Sequence, residues 1–416
     1  MIDISLLRES PEIIAASCER RGIDIDLETL TDLDQRRRRA RTSAEDMRRR
    51  QKEMGNSISR LEGSAREDAI AEASQLADDY KAALAETDRL DQKFQDIWIT
   101  LPNLVAESAA DGMTEEDSIE VSRWGDPSAP KGTKDHLDLG LDLGVLDIER
   151  AARVSGTRFG YLLGDLARLE FALVQFAFDQ LEPHGFKPVV PPVLVREEAL
   201  IGTGFFPSDR QQVYAVEKDD LYLVGTSEVS LAALHMNEIL SGEALPLRYV
   251  GFSTCFRREA GAHGKDTRGI FRVHQFDKIE MFSFCNPDIS EEEHDFLLAR
   301  EEDLVQALGI PYRVVNVAVG DLGGSAAKKF DIEAWFPGQE RYREITSTSN
   351  TTDFQARRLK IRYRTDDGNR LVHTLNGTAV AIGRWLAAII ENHQQRDGTI
   401  SVPEVLRPYA GFDSIS

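Results

Sequence analysis

The chain has 416 residues, 41% of them apolar and 29% charged, with 15 prolines, which is the composition of a folded protein long enough for two domains. Its formal charge of −21 excludes a general polyanion binder, because long-range attraction to phosphate needs a positive field, and any nucleic-acid contact must rest on local basic clusters. No apolar run approaches the roughly 18 residues of a bilayer crossing, residues 1–6 lack the marks of a secretory signal, and Cys18, Cys255 and Cys285 form no disulfide-like framework, so a cytoplasmic address without a membrane partner is expected.

Over residues 31–61, Leu33, Arg37, Ala40, Ala44, Met47, Gln51, Met54, Ile58 and Leu61 alternate at spacings of three and four, which is a heptad seam. A matching series, Ile70, Ala73, Ala77, Tyr80, Leu84, Thr87, Phe94 and Trp98, follows the turn-forming pair Gly63-Ser64. Two antiparallel helices are predicted over about 28–100, each on the order of 45 Å long, with Pro102 ending the second. The first helix carries Arg36, Arg37, Arg38, Arg39 and Arg41, then Arg48, Arg49, Arg50 and Lys52 about 18 Å further on. Such a pattern suits a solvated coiled-coil face or a phosphate-binding one, and four successive arginines cannot all face one way. An N-terminal domain over 1–105 and a second over 106–416 are expected, with residues 106–134, rich in Gly, Pro, Asp, Glu and Ser, as a linker or irregular entry.

Beyond the linker, short apolar strands over 221–224, 269–276 and 279–284 alternate with helical runs over 166–180, 289–308 and 379–392. Many strands follow one another through hairpin-like loops, so the expected fold is α+β, an antiparallel sheet flanked by helices. Three groups of residues carry chemistry. Thr226-Ser227-Glu228 sets hydroxyls and a carboxylate at a strand end. Phe256-Arg257-Arg258-Glu259-Ala260-Gly261 leads into a loop with Gly264, Lys265, Arg268 and Gly269 and then Ile270-Phe271-Arg272-Val273-His274-Gln275-Phe276. Strand, glycine loop and returning strand with inward arginines make a nucleotide cradle, since the planar guanidinium binds phosphate oxygens bidentately. Asn376-Gly377-Thr378-Ala379 precedes an apolar helix bearing Arg384, whose charge needs an ion-pair partner or a nucleotide phosphate.

The string 256–259, the returning strand to Phe276 and the Gly383-Arg384 helix resemble motifs 2 and 3 of class II aminoacyl-tRNA synthetases. The strings 224–228, 266–269, 274–278, 346–350 and 353–358 resemble the bacterial seryl-tRNA synthetases, and the likeness covers nearly the whole chain. What the resemblance implies is an enzyme that activates L-serine with ATP and transfers it to serine tRNA, with selenocysteine tRNA as a further family acceptor. It implies that Arg257 holds the α-phosphate, with Arg258, Glu259, Val273 and Phe276 around the adenosine and Ile345 and Thr346 beside the nucleotide. Arg272 and Arg384 then face the β- and γ-phosphates, and Glu344 and Ser347 hold Mg²⁺, a hard cation suited to oxygen ligands. Serine sits among Thr226, Ser227, Glu228, Arg257, Glu280, Asn376 and Thr378, and Arg257, Glu259, Arg272 and Arg384 carry the catalysis. The basic residues of the first long helix, with Lys265 and Arg268, become the tRNA contacts.

The helix over 166–180 with the segment 185–192 resembles motif 1, which implies a homodimer. Thr378-Ala379, Thr348 and Ser230 depart from the residues common in the family and put fine pocket geometry, hence amino-acid stringency, in question. Two alternatives differ in class: a ligase loading amino acids on a carrier protein, which would lack the helical arm, and a silent paralogue, which would lack Arg257, Glu259, Glu280 or Arg384. P-loop spacing and a G-x-G-x-x-G turn are both missing.

Overall fold

A computed structural model describes residues 1–261 and 268–416. The chain divides into two compact units, one of Ile2–Glu19 with Ile23–Leu101, the other of Met1, Arg20–Gly22 and Pro102–Ser416.

The first unit is built on a helical hairpin, α1 (Leu27–Ile58) and α2 (Gly63–Trp98). Asp26 starts α1 by accepting from the Thr29 amide at 2.9 Å, the usual N-cap bond to an otherwise orphan donor. At the base of the hairpin the seam is tight: Leu30 and Leu33 of α1 and Leu90, Phe94 and Trp98 of α2 are buried, the last two stacked at 5.4 Å, and Ala44 is buried further along. Arg37 occupies a seam position and is buried there. It bonds Asp34 at 2.6 Å and Asp91 at 3.3 Å and lies 4.1 Å over the Phe94 ring. Towards the turn most of the predicted seam holds, with Met47, Gln51, Met54, Ile58, Ala73, Ala77 and Tyr80 half-buried, while Leu84 is 42% and Ile70 45% exposed. Leu76 and Ala83, which the seam did not include, are half-buried beside these positions. A straight α-helix has 3.6 residues per turn, so a strict seven-residue repeat drifts by about 20° per heptad and single seam positions can turn out of the interface.

The second unit holds an eight-stranded sheet. Its strands in chain order are β1 (Ile119–Trp124), β2 (Phe186–Val189), β3 (Leu247–Phe256), β4 (Gln275–Cys285), β5 (Tyr312–Asn316), β6 (Lys328–Phe336), β7 (Arg341–Asn350) and β8 (His373–Ala381). They lie side by side as β1-β5-β6-β7-β8-β4-β3-β2, antiparallel except for the edge pair β2–β3. One face is covered by α3 (Gly164–Leu181), α4 (Ser290–Ala307) and α5 (Ile382–Asn392), whose Leu173, Phe176, Leu304, Trp385 and Ile389 share one core with Ile279, Met281 and Ile332. The expected α+β class holds.

Three expectations need correction. Residues 106–134 are more than a linker, because β1 forms a sheet edge from within them. All six of its residues are exposed, so its short apolar–polar alternation, Ile119-Glu120-Val121-Ser122, faces no core; its place comes from backbone pairing with β5. The returning strand does not begin at 269. Residues 268–274 run through turns and bends and β4 starts at Gln275, although Ile270, Phe271 and Val273 are buried and mimic a strand pattern. Ala379, expected to open a helix, ends up inside β8, and α5 starts at Ile382.

Two bulges shape the open face of the sheet. In β6–β7 the register runs from Ile332↔Thr346 to Glu333↔Glu344, which leaves Ile345 unmatched. Successive side chains alternate faces, so one extra residue turns Glu344 and Ser347, three apart, to the same side. In β4–β8 the register runs from Ile279↔Val380 to Glu280↔Thr378, and the unmatched Ala379 does the same for Thr378 and Ala381.

Candidate active site

The open face floors a cavity of about 490 Å³. Arg257, Glu259, Arg272, Val273, Phe276, Glu344, Ile345, Thr346, Ser347 and Arg384 line it together with Thr226, Glu228, Glu280, Asn376 and Thr378. One end is rich in guanidinium groups and the other in carboxylates and amides.

At the guanidinium end, Arg257 follows β3 directly. Its amide donates to the His274 carbonyl at 2.9 Å, its Nε donates to the Gly225 carbonyl at 3.0 Å, and its guanidinium carbon lies 5.3 Å from the Phe276 ring centre. Backbone and side chain are thus both tethered, which limits the rotamer freedom the arginine has to lose on binding. Glu259 has a φ of +50°, a left-handed conformation that costs a non-glycine residue about 1 kcal/mol. Its carboxylate pairs with Arg272 at 3.5 Å. Arg384, on the first turn of α5, donates to the Glu344 carbonyl at 3.1 Å and pairs with its carboxylate at 3.2 Å. Phe271 lies under two cations, Arg384 at 4.9 Å and Arg343 at 3.7 Å. Gly383 lets the helix start this close, since a Cβ there would stand 2.8 Å from the Ile270 carbonyl oxygen.

Burial would raise the Glu344 carboxyl, but Arg384 and Lys329 outweigh it and hold the group below the usual carboxylate range. It is therefore an anion facing the cavity, with the Ser347 hydroxyl on the same side. Among the described residues no three His, Cys, Asp or Glu side chains gather tightly enough to hold a metal alone. A site built on Glu344 and Ser347 needs other oxygens to complete it, which suits a cation that arrives with a polyphosphate.

At the carboxylate end, Glu228 heads the short helix Glu228–Ala232 and is buried. Its Oε1 accepts from Gln355 Nε2 at 2.8 Å and from Asn376 Nδ2 at 3.1 Å. Burial and the neighbouring Glu280 push its carboxyl up to about 7 despite Gln355, Lys278 and Arg257. Thr226 lies 3.4 Å from Glu280 Oε2. An ammonium ion and a small hydroxyl would find acceptors here, and a carboxylate would find Arg257.

Some expected residues stand apart from the cavity lining. Ser227 is fully buried behind it, and Arg258 lies 5.4 Å over the Tyr214 ring while its amide donates to the Gln212 carbonyl. Arg268 is bonded to Asp138 at 2.8 Å, and Lys265 lies outside the described residues. On α1, Arg37 belongs to the seam. Arg36, Arg38, Arg41 and Arg49 pair with Asp32, Asp34, Asp91 and Asp46. Arg39, Arg48, Arg50 and Lys52 are exposed. Arg38, Arg39 and Arg50 line a shallow groove along the helix with Thr42 and Ser43.

Three residues that line the cavity, Lys278, Lys329 and Phe271, and two of their neighbours, Gln355 and Asp331, escaped the sequence reading. Lys278 and Gln355 lie in strings recognised for their resemblance, yet only their spacing to Glu280 and Asp353 was legible there. The pair Lys329–Asp331, joined at 2.9 Å, was readable only as alternate positions on a strand. Phe271 passed for an ordinary core residue.

Comparison with known proteins shows the family. The family profile described as seryl-tRNA synthetase N-terminal domain matches residues 1–105, and the tRNA synthetase class II core domain (G, H, P, S and T) matches residues 212–393. The chain is 53% identical over 417 residues to the serine–tRNA ligase of Acidothermus cellulolyticus, covering 99% of both chains. It is 50% identical over 416 residues to that of Thermobifida fusca, covering 99% of this chain and 98% of the relative. In structure it is similar to seryl-tRNA synthetase from Pyrococcus horikoshii complexed with ATP, with a TM-score of 0.93, 42% identity and coverage of 100% and 99% of the two chains.

Proposed function

The chain belongs to the seryl-tRNA synthetases and is a serine–tRNA ligase that consumes ATP; we propose that its cleft takes ATP at the arginine end and serine at the carboxylate end. The observation that carries this reading is the convergence of Arg257, Arg272 and Arg384 on one cavity that also contains Glu228 and Glu280.

In the first step the serine carboxylate attacks the α-phosphorus in line, the bond to the β-phosphate oxygen breaks, and pyrophosphate leaves. No protein nucleophile is needed, because positioning and charge neutralisation supply the acceleration. Arg257 bridges the two substrates at the α-phosphate. Arg272 and Arg384 take the charge that grows on the leaving pyrophosphate, and Phe276 and Val273 face the base. The donor set of Glu344 and Ser347 fits Mg²⁺, which when bound would neutralise phosphate oxygens. Glu228 receives the serine ammonium, Glu280 the hydroxyl, and Asn376 and Thr378 close the pocket. In the second step a ribose hydroxyl at the tRNA 3′ end attacks the activated carbonyl and AMP leaves.

The long hairpin is the tRNA arm, and of its exposed basic residues we assign phosphate contact to Arg39, Arg48, Arg50 and Lys52, supported by the acidic partners that occupy the equally exposed Arg36, Arg38, Arg41 and Arg49. On this reading residues 1–105 bind tRNA and residues 106–416 catalyse. Phe171 on α3 is 68% exposed and Val190, after β2, 80%, which supports a homodimer formed over the motif 1 segment. No helix among the described residues is long and apolar enough to cross a membrane, and a cytoplasmic location is in keeping with the activity.

The test is serine-dependent ATP–pyrophosphate exchange followed by transfer to total tRNA. Exchange with serine, little with alanine or threonine, and transfer that is lost in the double variant R39E/R50E while exchange persists is the expected result. Exchange without transfer by the unaltered protein would point to a different acceptor.

A further inference from the structure

The carboxylate end of the cleft holds a cation to which the roles above give no task. Lys278 is on the cleft face of β4, its side chain 6% exposed, and it is paired with Glu280 Oε2. Its Nζ also donates to Thr226 Oγ1 at 2.7 Å, and the Glu228 amide donates to the same oxygen at 3.2 Å. A hydroxyl oxygen has two lone pairs. With both engaged, Thr226 can act only as a donor, and the acceptor within its reach is Glu280 Oε2 at 3.4 Å. Glu280 therefore has one oxygen committed to protein groups. Among the described residues no hydrogen bond reaches its Oε1, and Glu280 lines the cavity.

We propose that Lys278 is a specificity-determining positioning residue: by committing Thr226 to donation and one oxygen of Glu280 to itself, it presents a single carboxylate oxygen to the substrate's side-chain hydroxyl. This rests on the assignment of Glu280 to the serine hydroxyl. Without the ammonium group, Thr226 and Glu280 could satisfy one another, and a substrate lacking the hydroxyl would leave no acceptor unpaired. Rejection by an unpaired buried group is the physical basis of discrimination against alanine, so that discrimination would fall. Lys278 also bears on Glu228, the group that meets the substrate ammonium. The charges facing Glu228 are Glu280 and Lys278 from β4 and Arg257 from the end of β3, with Glu280 raising its carboxyl and the two cations lowering it.

The experiment is ATP–pyrophosphate exchange by the full-length protein and by Lys278→Met and Lys278→Arg, with serine and alanine between pH 6 and 9. The expected result for K278M is a fall of about tenfold or more in the serine-to-alanine ratio of kcat/KM, with the KM for ATP held. The rise in serine KM on acidification should also begin at higher pH in K278M than in the unaltered protein, and K278R, which keeps the cation, should restore the original pH profile. AMP binding and thermal unfolding establish that each variant is folded, and K278Q, uncharged and of similar length, takes the place of a K278M that does not fold. A folded, uncharged variant with an unchanged ratio and pH profile would overturn the role of Lys278. Absence of serine-dependent exchange by the unaltered protein would instead overturn the assignment of the site.

Discussion

Glu228 and Arg384 illustrate how single side chains acquire their properties from neighbours. Two amide donors fix one oxygen of Glu228, while burial and Glu280 keep its carboxyl near 7. Above that pH the group is an anion and can meet an ammonium ion; below it the group takes a proton and the partner is lost. Serine KM is thus expected to rise as pH falls from about 8 to 6, and Glu228→Gln should give a raised serine KM without that pH dependence, as exchange kinetics at fixed ATP would reveal. Arg384 answers to a different constraint. Its pairing with Glu344 keeps it aimed at the cavity, so Arg384→Ala should remove transition-state charge stabilisation and lower kcat/KM for ATP by about 10² or more, with serine KM little changed. The identities of both residues were legible in the sequence because they lie in long strings whose order and spacing leave few readings. The partners Gln355, Lys278 and Phe271 were not assigned, since nothing local distinguishes a cavity-facing lysine or phenylalanine from a surface or core one.

Among the elements, the helical hairpin depends on a buried polar knot at its base. Asp34 accepts from Arg8 and Arg37 and pairs with Arg38, and although burial opposes it, the first two arginines hold its carboxyl below the ordinary range. Replacing Asp34 by leucine would leave Arg37 buried beside Asp91 alone. A loss of about 3 kcal/mol in the stability of the arm is expected, measurable by denaturant unfolding of the full chain followed by helical circular dichroism. Because the folded pKa is depressed, the contribution of Asp34 is present at neutral pH and disappears as pH falls below about 4, through the folded value. The hairpin's existence was readable from its period, and the fate of Arg37 was hinted at by its seam position. The error at Leu84 and Ile70 and the unforeseen β1 have one origin: both outcomes are decided by contacts across elements, and the short alternation of β1 does not name the strand it pairs with.

For the molecule as a whole, the charge of −21 makes tRNA binding a contest between a repulsive field and a small basic stripe. Of the eight exposed cations on α1, Arg36, Arg38, Arg41 and Arg49 pair with carboxylates; if the other four carry the phosphate contacts, the logarithm of the tRNA association constant should fall with the logarithm of salt concentration with a slope no steeper than about −4, far from that of a highly basic binder. Filter binding over a salt series would check it, and a markedly steeper slope would implicate further basic surface. The exposed Phe171 sets a second whole-molecule expectation: Phe171→Asp should shift a dimer towards monomer in sedimentation velocity. Taken by itself, the sequence was sufficient for the α+β class, the helical arm and the identities of many charged and polar cavity residues, because periodicity and motif spacing are written along the chain. Only the tertiary structure decided that Arg258 and Ser227 stand apart from the cavity lining, that bulges at Ile345 and Ala379 put Glu344 and Ser347, and Thr378 and Ala381, on one face, and that Lys278 bonds Thr226 and pairs with Glu280. Those outcomes depend on which face of a strand a side chain takes and on which groups a fold desolvates together, and such relations exist only between segments distant in the chain.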